Sequence, residues 1–229
     1  MAAKAGSSPC FFMTGYMNRF IAFEGIEGCG KTTQIRIARE YLAEQGIVCL
    51  TTDEPGGTPL GKRIREMLLN IGPEAISPRT ELLLFVAARV QHVQDVILPA
   101  LEQGTWVLCD RFIDATLAYQ GFGRGLDRTV IEELHDFSSA SLTPGLTILL
   151  DMPVEDGLGR ALGRIARLQG IDREDRFERE DRSFHERVRE GYLALAAQHP
   201  ERYRIIDGAR EIAAVHLDVR RELLSFINR

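Results

Sequence analysis

The sequence lacks the patterns of a structural metal site, a disulfide framework and a general nucleic-acid-binding surface. Its four cysteines (Cys10, Cys29, Cys49 and Cys109) have neither Cys-x-x-Cys spacing nor a matching histidine pattern, which argues against zinc and gives no support for disulfides. No long run of lysine and arginine occurs, and the net charge is −5, so no partner nucleic acid is expected. A protein of the reducing cytoplasm fits these absences best.

Long apolar runs are also missing by inspection of the sequence. We expect no membrane partner, because no apolar stretch approaches the length of a membrane span. The first 18 residues lack the apolar segment of a secretion signal, and Met13 and Met17 are possible alternative starts. We interpret residues 1–18 as a disordered leader without function, since chain ends are commonly poorly ordered.

Five short apolar segments alternate with helical patterns over residues 19–229, which we interpret as a single domain. The predicted strands are 19–24, 48–52, 106–109, 146–150 and 203–206. The predicted helices are 31–45, 60–69, 78–99, 127–139, 154–169, 181–198 and 211–226. This alternation predicts an α/β fold with a five-stranded parallel sheet and helices on both faces. Ligands of such sheets lie beyond the carboxyl ends of the strands.

A glycine-rich phosphate-binding motif, GIEGCGKT, lies between the first predicted strand and the first helix and matches G-x-x-x-x-G-K-[ST]. Its backbone N–H groups and the helix N-terminus favour an anion. We expect Lys31 to reach the β- and γ-phosphates of ATP and the Thr32 hydroxyl to ligate Mg²⁺. The residues predicted to bind ATP are Gly25, Ile26, Glu27, Gly28, Cys29, Gly30, Lys31, Thr32 and Thr33.

Cys29 within this loop has two interpretations. A thiol beside Lys31 and a helix N-terminus can be reactive. The alternative, which we favour, is a small residue that fills an alanine-sized space.

Asp110-Arg111 directly follows the third predicted strand, and this pair narrows the class of nucleotide-binding protein. Arg111 is suited to holding a second phosphate, which favours transfer between two phosphorylated molecules over hydrolysis. No Asn-Lys-x-Asp motif for guanine occurs. The structural alternative is a surface ion pair at the end of a strand.

From Arg19 onward the chain resembles thymidylate kinases. The segments that carry the resemblance are FEGIEGCGKTT (23–33), EPGGT (54–58), LLLFVAARVQHV (82–93), CDRF (109–112), AYQG (118–121) and the arginine-rich stretch 160–182. The resemblance implies a three-layer P-loop NTPase fold with a short helical lid. It also implies transfer of the γ-phosphoryl group of ATP, bound with Mg²⁺, to dTMP, giving dTDP for dTTP synthesis, and commonly a homodimer.

The resemblance also implies how the base is recognised. Phe85 matches the aromatic residue that stacks on thymine, and Arg89, four residues later on the same helical face, matches the arginine that hydrogen-bonds the base. Gln120 lies where the family contacts the nucleotide again. From spacing alone, a core aromatic residue beside a surface cation would be the simpler interpretation.

Other residues match the family's phosphate, sugar and metal contacts. Arg111 resembles the arginine that binds the dTMP phosphate, and Asp110 resembles the carboxylate near Mg²⁺. Tyr119 resembles the ring that crowds the sugar 2′ position and disfavours ribonucleotides. Glu54, which ends the second strand, is expected to touch substrate or Mg²⁺.

One departure from the family concerns the residue before Glu54. Many relatives have arginine there, and this chain has Asp53. Either a positive contact is absent, or Arg63 or Arg65 replaces it.

The phosphate-binding loop contains no arginine, which implies the family type whose catalytic arginine lies in a lid, here about residues 157–180. Such an arginine contributes roughly 10³–10⁵ in rate. The candidates at helical spacing are Arg160, Arg164 and Arg167, of which we favour Arg160 or Arg164. Arginines after Arg167, such as Arg173 and Arg176, lie in a highly charged stretch that is typical of a solvated surface.

The segment 206–210 lies where relatives enclose adenine, although an ordinary strand-to-helix turn looks the same. Two alternative functions remain at this point. One is a nucleoside monophosphate kinase for UMP or GMP, and the other is a non-catalytic nucleotide-binding switch.

Overall fold

The computed structural model describes residues 18–70, 75–139, 141–167 and 176–229. Except for Asn18, the expected leader lies outside the described residues, as does the part of the expected lid from 168 to 175. The strands are β1 (Phe20–Glu24), β2 (Cys49–Asp53), β3 (Trp106–Asp110), β4 (Leu146–Asp151) and β5 (Tyr203–Asp207). All five predicted strands are confirmed, with ends shifted by about one residue.

The five strands form one parallel sheet in the order β2-β3-β1-β4-β5. The central strand β1 is apolar at four consecutive positions, Phe20 to Phe23, and all four are fully buried. A strand that is covered on both faces needs such a continuous apolar run. The α/β prediction with a parallel sheet is therefore confirmed.

The helices are α1 (Lys31–Glu44), α2 (Pro59–Leu69), α3 (Pro78–His92), α4 (Leu98–Glu102), α5 (Ile113–Thr116), α6 (Arg128–Ser139), α7 (Val154–Arg167), α8 (Arg182–Gln198) and α9 (Ile212–Ile227). The chain runs from β1 outward to β2 and then returns across the sheet, so right-handed crossovers place helices on opposite faces. In agreement, α1 packs against α9, and α3 packs against α2 and α6.

Side-chain caps fix several helix starts where the sequence predicts them. The Ser77 hydroxyl accepts a hydrogen bond from the Thr80 N–H at the start of α3, directly before Pro78. The Asp181 carboxylate accepts one from the Phe184 N–H at the start of α8. Such caps satisfy N–H groups that have no partner within the helix.

Two π-helical turns, Val93–Ile97 and Leu117–Gly123, were not predicted. The first joins α3 to α4, and the second continues α5. Each widens the helix by one residue, a change that leaves no distinct periodic signal in so short a segment. Turns of this kind are frequent at functional sites, and the second one carries Tyr119 and Gln120.

The helical segment Pro78–Glu102 corrects the expectation that no apolar run is long enough to span a membrane. Its 25 residues are long and apolar enough by length and composition. The sequence estimate was wrong because the few charged residues of this segment are widely spaced. Two of them, Glu81 and Arg89, are buried and ion-paired inside the fold, and the core helix of a folded domain passes the same test.

Candidate active site

A cavity of about 700 Å³ opens at the carboxyl ends of the strands, where a parallel α/β sheet is expected to bind its ligands. Most of the predicted site residues line it. These are Glu27, Gly28, Lys31, Thr32, Glu54, Phe85, Arg89, Asp110, Arg111, Tyr119, Gln120 and Arg164. The cavity thus combines the glycine-rich loop, the second half of α3, the end of β3, the second π-helical turn and α7.

The loop between β1 and α1 wraps around the Lys31 ammonium group. Its Nζ donates to the carbonyl oxygens of Gly25 and Ile26, both at 3.0 Å. Gly28 has φ 72°, and a Cβ there would lie 2.0 Å from the Gly157 carbonyl oxygen in the first turn of α7. Only glycine combines this backbone conformation with so close an approach.

Thr32 and Asp110 meet at the start of α1, as the metal-site prediction requires. The Thr32 hydroxyl donates to Asp110 Oδ2 at 2.9 Å. A hydroxyl and a carboxylate oxygen are hard ligands of the kind that Mg²⁺ accepts, usually with substrate phosphates completing its shell. No cluster of three or more His, Cys, Asp or Glu side chains suited to a metal ion occurs within the described ranges.

Cys29 lies in the interior of the loop. It is 2% exposed, and its Sγ accepts a hydrogen bond from Lys31 Nζ at 3.5 Å. This burial agrees with the interpretation as a small residue that fills space.

Glu27 is one of the loop residues predicted to bind ATP, and its side chain points toward the end of β3. Glu27 Oε1 accepts from Arg111 Nη2 at 3.1 Å and from the Tyr119 hydroxyl. The His185 ring lies beyond it, with Nδ1 3.4 Å from Oε2 and no hydrogen-bond geometry. Burial would raise the pKa of Glu27, but His185 and the charge of Arg111 hold it at about 2.

Arg111 is the central hydrogen-bond donor of this region. The alternative interpretation, a surface ion pair at the end of a strand, is wrong. Its guanidinium donates to the Gly25 carbonyl oxygen at 3.1 Å, to Glu27 at 3.1 Å and to the hydroxyls of Tyr119 and Tyr192 at 3.1 and 3.0 Å. The backbone at Arg111 has φ 69°, an uncommon conformation that recurs at functional sites. Burial would lower the pKa of Arg111, but the neighbouring tyrosines and carboxylates raise it well above its ordinary value.

Glu24 is a buried carboxylate that is connected to Arg111 through the Tyr192 hydroxyl. It was not predicted as a site residue. It accepts hydrogen bonds from the Phe112 N–H at 2.7 Å and from the Tyr192 hydroxyl at 2.8 Å. Burial, reinforced by the charge of Asp114, raises the pKa of Glu24 to about 8. Tyr192 and His185 come from α8, whose helical pattern gave no signal for either residue.

Arg89 is 2% exposed, so the alternative of a surface cation on α3 is wrong. Its Nε donates to Glu54 Oε2 at 2.9 Å, and its Nη2 donates to Thr116 Oγ1 at 2.7 Å. Nη1 is buried and has no hydrogen-bond partner in the described part of the chain. Arg89 is therefore a rigid, buried cation in the cavity wall, with one donor group that has no partner among the described residues.

Glu54 forms an ion pair with Arg89, so its carboxylate is not free to bind a ligand in the cavity. Its second oxygen, Oε1, lies 2.9 Å from His92 Nδ1, and His92 Nε2 lies 2.6 Å from the Thr52 hydroxyl. Burial would raise the pKa of Glu54, but Arg89 and His92 lower it below its ordinary value.

Aromatic rings form one wall of the cavity. Phe85 is partly buried, and its ring centroid lies 6.3 Å from that of Phe177. Phe177 in turn meets Tyr119 edge to face at 5.4 Å. Phe177 was not predicted as a site residue, because it lies within a stretch dominated by charge.

Asp53 is held by Arg65, one of the two arginines proposed to compensate for the departure at this position. Arg65 Nη1 donates to Asp53 Oδ2 at 3.2 Å and to the Pro55 carbonyl oxygen at 2.9 Å. Arg63 is exposed. Arg65 also lines the cavity, so it places a positive charge beside Asp53 at the end of β2.

The lid candidates occupy different places. Arg160 donates to the carbonyl oxygens of Gly208 and Ala209 at 3.1 and 3.0 Å and thus holds the loop after β5. Arg164 lines the cavity, with Nη2 3.7 Å from Glu178 Oε1. Arg167 is exposed, and Arg173 lies outside the described residues.

Arg176 corrects the expectation that arginines after Arg167 are solvated. Its side chain is 17% exposed and lies 2.7 Å from Glu81 Oε2, and its guanidinium stacks over the Phe177 ring at 4.5 Å. A charge-rich stretch predicts that its side chains are exposed only on average. Here the buried carboxylate of Glu81 on α3 forms an ion pair with Arg176, which is therefore mostly buried.

The chain matches the family model described as thymidylate kinase over residues 23–219. A thymidylate kinase of Syntrophus aciditrophicus is 56% identical over 207 residues, which cover 90% of this chain and 94% of that protein. A thymidylate kinase of Geobacter sulfurreducens is 54% identical over 213 residues, covering 93% and 100%.

A solved structure agrees with these sequence relatives. The crystal structure of thymidylate kinase from Ehrlichia chaffeensis superposes with a TM-score of 0.70 at 34% identity and covers 89% of this chain and 97% of that chain. The family match over residues 23–219 includes both the glycine-rich loop and the β3 end that build the cavity. The chain belongs to the thymidylate kinase family.

Proposed function

We propose that this protein transfers the γ-phosphoryl group of ATP to dTMP, giving dTDP and ADP in dTTP synthesis. One observation carries the proposal: two anion-binding elements face the same cavity and touch each other. The first is the glycine-rich loop with Lys31, and the second is Arg111, which donates to the Gly25 carbonyl oxygen of that loop at 3.1 Å. Two phosphates held in this way lie close enough for direct transfer.

On the donor side, the loop N–H groups and the N-terminus of α1 bind the ATP phosphates. Lys31 exchanges its bonds to the Gly25 and Ile26 carbonyl oxygens for the β- and γ-phosphates. Thr32 and Asp110, 2.9 Å apart, would hold Mg²⁺, and the ion would supply positive charge to neutralise the phosphate oxygens during transfer.

On the acceptor side, the dTMP phosphate binds Arg111 and the thymine ring lies on Phe85. The unused Nη1 of Arg89 donates to a base carbonyl oxygen, and Glu54 keeps the guanidinium in place. Gln120, which lines the same cavity, makes a second contact with the base. Tyr119 stands beside the sugar and excludes a 2′-hydroxyl. An acceptor phosphate is already an anionic nucleophile, so no general base is needed, and positioning with charge neutralisation suffices.

The lid at about residues 157–180, part of a single domain over 19–229, closes over the two phosphates and excludes water. Arg164 is the better candidate for the catalytic lid arginine, because it already faces the cavity. Arg160 is engaged with the loop after β5, where it supports the adenine end of the ATP site.

We further propose a homodimer built from the outer faces of α2, α3 and α6. These neighbouring helices expose Met67, Leu83, Val130 and Phe137, and Phe137 is 86% exposed. Large apolar side chains grouped on adjacent elements are typical of protein interfaces. Light scattering after size-exclusion chromatography should give the mass of two chains and, for Phe137→Glu, of one chain; a monomeric parent protein would refute the dimer.

A cytoplasmic location accords with the free thiols of Cys29, Cys49 and Cys109, since a reducing compartment keeps such groups unpaired. ATP and deoxynucleotide monophosphates are also metabolites of that compartment.

The function is tested with a coupled assay that follows ADP formation from ATP and Mg²⁺. We expect high kcat/KM with dTMP and much lower values with UMP and GMP. Equal use of dTMP and UMP would refute the role of Tyr119, and ATP binding without any phosphoryl transfer would refute the kinase assignment.

A further inference from the structure

We propose that Glu81 is a positioning residue that fixes the side-chain amide of Gln120 and thereby makes the site selective for keto pyrimidines over amino pyrimidines. Glu81 does not reach the substrate itself. The inference rests on the proposed function, in which the base lies between Phe85, Arg89 and Gln120, and it deepens that function by assigning a residue that no motif of the sequence singled out.

Glu81 is a fully buried carboxylate in the first turn of α3. Its Oε1 accepts from Gln120 Nε2 at 2.8 Å and from Arg124 Nε at 3.2 Å. Its Oε2 accepts from Arg124 Nη2 at 3.1 Å and from Arg176 Nη2 at 2.7 Å. Four donors from three side chains thus surround one carboxylate, and the two guanidinium groups prevent it from rotating.

This arrangement leaves one orientation for the Gln120 amide. A carboxylate between two arginines only accepts hydrogen bonds, so the NH₂ end of Gln120 must face Glu81. The opposite orientation would set the Gln120 carbonyl oxygen against a carboxylate oxygen, without a hydrogen between them. Oε1 of Gln120 is therefore the atom left for a ligand, and within the described residues it has no hydrogen-bond partner.

Gln120 and Arg89 line the same cavity and offer a base two groups of opposite kind. Arg89 supplies a donor, because its buried Nη1 has no partner within the described ranges. Gln120 supplies an acceptor, because Glu81 holds its NH₂ group. A guanidinium has no second orientation with an acceptor, so the amide of Gln120 is the adjustable half of this pair.

A keto pyrimidine edge complements this pair and an amino pyrimidine edge does not. Thymine and uracil present a carbonyl oxygen beside an N–H group, which match the donor of Arg89 and the acceptor of Gln120. Cytosine presents an NH₂ group beside an unprotonated ring nitrogen. The NH₂ group would face the donor of Arg89, and the ring nitrogen would face the acceptor of Gln120, so neither hydrogen bond could form. A site built to hydrogen-bond its substrate rejects such an analogue because buried polar groups are then left unpaired.

The test replaces Glu81 by glutamine. A neutral amide at position 81 presents either its oxygen or its NH₂ group to Gln120, so both orientations of the Gln120 amide become available. We expect the ratio of kcat/KM for dTMP to kcat/KM for dCMP to fall at least about tenfold in Glu81→Gln.

The matched control is Arg124→Gln. It removes one ion-pair partner of Glu81 and leaves the bond from Glu81 to Gln120 in place. We expect Arg124→Gln to lower Tm while the ratio of dTMP to dCMP stays at the parent value. The double variant Glu81→Gln with Arg124→Gln keeps the net charge of the cluster. It replaces Glu81→Gln in the same measurement if Glu81→Gln alone does not fold. Its ratio should fall as in Glu81→Gln, and a double variant with the parent ratio would contradict the proposal.

Gln120→Leu separates this inference from the proposed function. If Gln120→Leu leaves kcat/KM for dTMP unchanged, Gln120 does not contact the base, and that part of the proposed function is wrong. If Gln120→Leu lowers kcat/KM for dTMP but Glu81→Gln retains the parent ratio of dTMP to dCMP, the base contact stands and the role of Glu81 is wrong. A drop in both measurements supports both.

Discussion

The two halves of the cavity are built in different ways. The donor half is one continuous loop whose lysine bonds carbonyl oxygens only five and six residues away. The acceptor half is assembled from side chains that lie far apart in sequence, such as Arg89 with Glu54, 35 residues away, and Arg111 with Glu27, 84 residues away. A local segment can specify the glycine-rich loop by itself, whereas the contact of Thr32 with Asp110, 78 residues away, and the whole acceptor half exist only once the sheet has formed.

The difference extends to the chemistry of the contacts. Backbone carbonyl and N–H groups dominate the donor half, so most of its side chains can vary as long as the glycines remain. Buried ion pairs dominate the acceptor half, and removal of one partner leaves an uncompensated charge. The acceptor half should therefore couple activity to stability, and the donor half should not.

The largest effects are expected from the central cation of each half. Lys31→Ala and Arg111→Ala should each lower kcat/KM about a thousandfold, because each removes a fixed positive charge from the transferring or accepting phosphate. Calorimetric titration should show that Lys31→Ala retains dTMP binding. Arg221→Ala, at an exposed position, is the control and should behave as the parent; dTMP binding lost in Lys31→Ala would mean that the halves are not separate.

The lid tests whether the donor half needs a side chain from outside its loop. Arg164→Ala should lower kcat about a hundredfold with little change in KM, because the arginine acts on charge that develops in the transition state. Arg160→Ala should affect kcat less and raise KM for ATP, since it holds the loop after β5. The reverse ranking in steady-state kinetics would assign the catalytic role to Arg160.

Arg89→Ala sharpens the link between activity and stability in the acceptor half. We expect kcat/KM for dTMP to fall about 10- to 100-fold while KM for ATP is unchanged. The free energy of unfolding should fall by about 3–5 kcal/mol, because Glu54 and His92 are left buried without their cation. In urea unfolding, Arg36→Ala, which breaks only an exposed pair with Glu40, should cost under about 1 kcal/mol; equal losses in both variants would contradict the comparison.

The smallest predicted effect is a loss of folding stability at low pH. His135 packs edge to face against Phe112 at 5.7 Å, and Phe112 lies beneath Arg89 at 5.2 Å. Burial, together with the charge of Arg89, lowers the pKa of His135 from 6.5 to about 4. Below pH 6.5 the His135 side chain therefore binds a proton in the unfolded chain but not in the folded chain. Its contribution to stability is lost as pH falls from about 6.5 toward 4.

His135 alone should contribute a loss of up to about 3 kcal/mol. Glu24, whose pKa is raised to about 8, contributes a gain over the same range as pH falls, so the effect of His135 is measured as the difference between the parent and His135→Gln when urea unfolding is compared at pH 7 and pH 4.5. Glu27, with its lowered pKa, adds a loss only below its ordinary value of 4.5, so the contributions of His135 and Glu27 occupy separate pH windows. His199→Gln, at a half-exposed site, is the control; a parent-like acid response in His135→Gln would exclude this histidine as the cause.

The same contrast explains what could be predicted from the sequence. The strands and helices follow from apolar periodicity, and the donor loop follows from a motif whose residues are all neighbours. The direction of the Glu27 side chain, the burial of Arg89 and the pairing of Arg176 with Glu81 depend on which segments the fold brings together. Spacing along one helix gave the position of Arg89 but not its partners, because Glu54, Thr116 and Phe112 come from other elements.

The contact between Gly28 and Gly157 has a consequence for motion. A Cβ on Gly28 would lie 2.0 Å from the Gly157 carbonyl oxygen, and a Cβ on Gly157 would lie 2.6 Å from the Glu27 carbonyl oxygen, so two backbones touch without any cushioning side chain. The first turn of α7 and the tip of the donor loop therefore cannot approach each other more closely without a backbone clash. The proposed lid would have to close by a pivot beyond this junction, toward the distal end of α7, without displacing the phosphate-binding loop.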